Sequence, residues 1–181
     1  MKSLTLSNTK AIVLNKEMVI AILIGVSLMT LGSKISIMVP IFMTPITLQT
    51  LALMVIGLGM KKSHAMASIT TWVALVAIGL PLASGVSLVI LTPSFGFILS
   101  FIVAVYTIAT LKEKFNSNSI FTFSLISVIG GIVVVYAIGY TYMSIYMGLN
   151  LSQLLPFVLT YLPGDLLSVI IASAIGTKIS K

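Results

Sequence analysis

Long apolar runs punctuated by lysine constrain this chain more than any motif in it. The runs fall at about 16–33, 45–60, 65–79, 93–111, 120–147 and 163–178. With 59% hydrophobic and 7% charged residues, there is too little polar surface to clothe a soluble globule. Hydrocarbon offers no partner to backbone N–H and C=O groups, so segments of this kind must fold as helices that satisfy themselves. The expectation is an all-α integral membrane protein: a six-transmembrane-helix bundle forming one membrane-embedded domain over residues 1–181, its connections too short to fold alone. The first run lacks a small-residue cleavage site and is followed by others like it, which reads as a retained helix.

Charge placement supplies an orientation. The net charge is +7, yet every basic residue is a lysine and no arginine is present to fork onto phosphates or bases, which argues against nucleic acid as a partner. Lys2, Lys10 and Lys16 precede the first run, Lys61 and Lys62 follow the second, Lys112 and Lys114 follow the fourth, and Lys178 and Lys181 end the chain. Only Lys34 falls on the other side. This is the positive-inside pattern, and it predicts a cell-membrane protein with cytoplasmic N- and C-termini. Without cysteine there is no disulfide frame and no thiolate for catalysis or metal binding. His64, beside Lys61 and Lys62 but without a second ligand at metal spacing, reads as an interfacial residue.

Inside the apolar runs one acid stands out, Asp165, in Tyr161-Leu162-Pro163-Gly164-Asp165-Leu166-Leu167-Ser168. A carboxylate at membrane depth costs about 2.5 kcal/mol or more unless it faces a cavity or a partner. Pro163 reads as the first residue of a helix, which would set Asp165 among free backbone N–H groups; the plainer alternative is an acid that only stabilises its own helix. Thr44-Pro45 and Thr92-Pro93 read as two more such starts. Three helix N-termini would then converge on an outward cavity and favour an anionic group. Thr44 and Gln49 sit at the top of the second helix, where Gln49 is either a ligand contact or an interhelical hydrogen bond. Trp72 is either a wall for a planar ligand or core, and Tyr136 lies deeper than Tyr140, Tyr142 and Tyr146. The uncharged loop Gly79 to Ser87 is expected to fold back as a lid. Gly130-Gly131 permits a bend or close approach. Ala21 and Gly25, four apart, allow another helix to come near, from this chain or from a partner subunit.

Four separated stretches carry a family resemblance: Thr44-Pro45-Ile46-Thr47-Leu48-Gln49-Thr50-Leu51-Ala52, Gly79-Leu80-Pro81, Thr92-Pro93-Ser94-Phe95-Gly96-Phe97 and Pro163-Gly164-Asp165-Leu166-Leu167. Together they resemble the BioY family, biotin-binding S components of energy-coupling factor (ECF) transporters. The resemblance implies a substrate-capture subunit that binds biotin from outside, uses no cofactor, and docks onto an ECF transmembrane coupling subunit carrying two ATPase subunits. It implies ligand contacts at Asp165, Gln49, Trp72, Tyr136, Ser168 and Thr44, and docking through Ala21 and Gly25, which approximate the family's Ala-x-x-x-Ala motif. The family usually has lysine where Ser168 stands and often tyrosine where Trp72 stands, so Ser168 is expected to offer only a neutral hydrogen bond. No Gly-x-x-x-x-Gly-Lys-Ser/Thr loop occurs, and ATP hydrolysis would belong to partners.

Two other classes compete. A self-sufficient proton-coupled transporter of a small carboxylate-bearing metabolite would use Asp165 as its proton site, but it would be expected to show a repeated half or a chain of ionisable groups. An intramembrane enzyme lacks a base near Asp165 in sequence, so the chain is read as non-enzymatic.

Overall fold

The structure, a computed structural model, describes residues 15–38, 45–84 and 89–179. Helix α1 (Lys16–Lys34) starts where the Asn15 side chain accepts the Met18 N–H at 2.8 Å, meeting one of the donors a helix start leaves unpaired. A short antiparallel ribbon follows, β1 (Ser36–Met38) with β2 (Pro45–Thr47), in a backbone register that pairs Ile37 with Ile46. Next come α2 (Gln49–Gly59), α3 (Lys62–Ala77), a 3-10 turn at Val89–Leu91 and α4 (Phe95–Phe115). A single long rod is then built from α5 (Ile120–Ser127), a π-helical segment (Val128–Val134) and α6 (Val135–Met147). A 3-10 turn at Leu151–Leu154 leads into α7 (Leu155–Ile179).

The chain is a multi-pass membrane protein. Among the described residues four helices are long and apolar enough to cross a membrane: Lys16–Lys34, Phe95–Phe115, Ile120–Met147 and Ser152–Ile179. The remaining two of the six runs form α2, of 11 residues, and α3, of 16. Helix α2 is central, packing on α1, α4 and α7, with Leu53, Met54, Ile56 and Leu58 fully buried. In a bilayer, close packing rather than transfer from water holds such contacts, which is why small residues matter where helices meet.

Two of the expected helix starts are corrected. Pro45 lies in β2, and α2 begins only at Gln49 after Leu48. Pro163 lies inside α7, which begins at Leu155 and not near residue 163. Proline forfeits one backbone N–H bond and crowds the preceding turn, but breaking the helix would strand more backbone groups in apolar surroundings than proline removes. Asp165 is therefore well inside a helix, and the three convergent N-termini are not formed.

Gly130 packs on Ala104 and Ile108, and Gly131 on Met54, so this glycine pair does provide the close approach expected of it. The π segment also adds a residue to the helical turn. Through it the buried positions run on from Phe123, Ile126 and Ser127 by way of Gly130 and Gly131 to Val135, Gly139 and Tyr140. The described part of the uncharged loop folds back as its composition predicts. Ser33 Oγ donates to the Leu82 carbonyl at 2.6 Å, and Lys34 Nζ donates to the carbonyls of Pro81 at 2.8 Å and Ala83 at 3.1 Å.

Candidate functional site

Beside Ala83 and Ser84, helices α2, α4, α6 and α7 converge on a cavity of about 100 Å³. Its apolar wall comes from Phe97, Ile98 and Phe101 of α4, Val135 and Met143 of α6, and Phe157 of α7. Tyr136 and Tyr140 of α6 also line it. Tyr136 and Tyr140 meet edge to face with ring centroids 5.1 Å apart, and Phe97 and Tyr140 do so at 5.0 Å, forming a rigid aromatic corner.

The polar side of the cavity is built around Asp165, which is only 9% exposed. Thr50 Oγ1 donates to Asp165 Oδ1 and Tyr136 Oη donates to Oδ2, both at 2.6 Å, the short geometry of a hydroxyl on a carboxylate. Next to Thr50 on α2, Gln49 is also 9% exposed, and its Oε1 accepts the Thr47 hydroxyl at 3.0 Å. Among the described residues its Nε2 has no partner, and neither has the buried hydroxyl of Tyr140. An unmet buried donor costs about 1–3 kcal/mol, so two of them on one cavity mark a surface shaped for a polar ligand.

Of the residues singled out from sequence, Asp165, Gln49 and Tyr136 come together here. Trp72 does not line the cavity. It is fully buried, its indole N–H donates to Thr30 Oγ1 at 3.2 Å, and it stands behind the wall with its centroid 6.3 Å from that of Phe101. Ser168 also lies outside the lining, its hydroxyl donating back to the Gly164 carbonyl at 3.0 Å. Thr44 falls outside the described residues. Ala21 and Gly25 are both spent inside the chain: Ser68 Oγ donates to the Ala21 carbonyl at 2.9 Å, and a side chain at Gly25 would overlap Ser68. Their small size admits α3, the internal alternative to subunit docking. Sequence reasoning missed Thr50 and Tyr140. Thr50 adjoins Gln49, and Tyr140 is one turn from Tyr136, a helical spacing that could have flagged it.

Comparison with known proteins places this architecture. The chain is 27% identical to the biotin transporter BioY of Rhizobium etli, with 91% of this chain and 92% of that protein aligned. It is 29% identical to a probable biotin transporter BioY of Bacillus subtilis, over 83% and 85%. In fold it is similar to the crystal structure of the S-component for biotin from an ECF-type ABC transporter, with a TM-score of 0.79 at 22% identity over 92% of this chain and 93% of that one. The model of the BioY family matches residues 4–181, and the chain belongs to that family.

Proposed function

We propose that this chain is the S component of an ECF-type uptake transporter and binds biotin in the cavity around Asp165. One observation carries the reading: a buried carboxylate and a buried, unpartnered carboxamide N–H share one wall of an aromatic-lined cavity. The ureido group of biotin presents N–H donors beside a carbonyl acceptor, and Asp165 with Gln49 Nε2 offers the inverse set. Each Asp165 oxygen takes one hydroxyl and keeps a further acceptor site. Gln49 thus serves as donor to the ureido oxygen, because its own oxygen is engaged by Thr47. The fused rings of biotin rest on Tyr136, Tyr140 and Phe97.

In this reading α2 and α3 lie within the bilayer beside the four long helices, giving six spans in a single domain. Both termini and the lysine-bearing ends face the cytoplasm, and the cavity faces outward. The chain is not an enzyme and carries no cofactor; transport energy comes from an ECF transmembrane coupling subunit with two ATPase subunits. With Ala21 and Gly25 covered by α3, their part in docking is indirect, through how α1 is held. Calorimetry on the chain purified alone in detergent tests the reading: biotin is expected to bind without ATP or partners, and absence of binding would overturn it. Uptake into vesicles driven by a proton gradient alone, with no ATPase present, would replace it with secondary transport.

A further inference from the structure

A second cleft, of about 350 Å³, lies at a lysine-bearing end of the bundle and shares no lining residue with the first. Met60 and Ala109 line it together with three lysines, Lys61 and Lys62 from the turn into α3 and Lys112 from the last turn of α4. Glu113 is the only acid in the lining, and Asn116 and Ser117 complete one rim. Lys61 is 3.9 Å from Glu17, but both side chains are about three-quarters exposed, so this pair binds the lysine weakly. Part of the cationic charge offsets the negative end of α4, to which Lys114 also contributes. Conversely, α3 begins at Lys62 without a side-chain cap and adds its positive end to the cleft.

Lys62 links the cleft to an exposed apolar track on α4. Lys62 Nζ sits 4.1 Å from the centroid of the Tyr106 ring. From Tyr106, exposed Val103 and Leu99 follow along α4 at spacings that share one helix face. A cationic cleft joined to an exposed apolar stripe matches the head and tail of an amphiphile. We propose that this cleft holds the phosphate of an anionic phospholipid, with an acyl chain lying along Tyr106, Val103 and Leu99. A free phosphate would use the lysines but gain nothing from the track, which is why the lipid is the assigned source.

The test uses the full chain purified in neutral detergent, with phosphatidylglycerol and phosphatidylcholine of matched acyl chains followed by native mass spectrometry. Wild type is expected to retain one phosphatidylglycerol in preference to phosphatidylcholine. Replacing two cleft lysines, Lys62→Gln with Lys112→Gln, should cut that preference roughly thirty-fold while the protein still unfolds cooperatively, with only a small drop in thermal midpoint. Lys114→Gln, outside the cleft lining, should keep it. Equal retention of the two lipids, or equal loss of preference in Lys114→Gln and in the double variant, overturns the proposal. Displacement of the lipid by millimolar inorganic phosphate would also overturn it, since the ligand would then be a free anion.

Discussion

The Tyr136 hydroxyl donates to Asp165 Oδ2 at 2.6 Å, joining the rod that contains α6 to the middle of α7. Thr50 brings α2 to the other oxygen of the same carboxylate. Three helices thus meet at one acid, and substitutions around it separate roles in folding from roles in binding.

Asp165→Asn should lower biotin affinity steeply. An amide accepts at one atom only, and its NH2 would face hydroxyl and ureido donors. Loss of a buried charge-assisted contact typically costs about 2–5 kcal/mol, or roughly thirty-fold to several-thousand-fold in dissociation constant. Titration calorimetry reads it directly. Wild-type affinity in this variant would leave the carboxylate as a structural tie between helices.

Tyr136→Phe keeps the ring and removes one donor to Asp165. Hydrogen bonds to charged groups contribute about 1.5–3 kcal/mol, so biotin affinity should fall roughly tenfold to a hundredfold or somewhat more. A lowered thermal midpoint with unchanged affinity would confine Tyr136 to the fold.

Gln49→Leu separates the two quantities by sign. Leucine removes the unpartnered Nε2, so the thermal midpoint of the ligand-free protein should hold or rise. Biotin affinity should fall by about 1–3 kcal/mol as the ureido oxygen loses its donor. A drop in stability with no change in affinity would make Gln49 an interhelical bond.

Gly25→Leu should destabilise the protein, because a side chain there overlaps Ser68 of α3. Overpacking of this kind typically costs about 1–3 kcal/mol, visible as a lower thermal midpoint in detergent. A variant with normal midpoint and biotin affinity that no longer co-purifies with the coupling subunit would restore a docking role to this face.

Cysteines read the orientation. Ser117→Cys, in the loop after α4, should react with impermeant reagent only from the cytoplasmic side. Ser84→Cys lines the cavity and should react only from outside, more slowly with biotin present. Labelling of Ser117→Cys from outside would invert the assigned topology.

The sequence by itself determined the class of this protein, because mean hydropathy and lysine placement are sums over residues and need no packing to be evaluated. It also determined which polar residues needed explaining. A lone acid such as Asp165 in an apolar run must find partners whatever the fold. Only the tertiary structure decided who those partners are. Thr50 and Asp165 are 115 residues apart, a pairing set by how α2 lies on α7. Pro163 misled because proline favours a helix start, yet the interior of a helix in apolar surroundings tolerates it when breaking the helix would strand more backbone groups. Trp72, read as either wall or core, is core, and Tyr140 lines the cavity, for a related reason. Which face of a helix meets the cavity depends on its rotation about its own axis, and in a helix that is apolar all round hydropathy does not register that rotation.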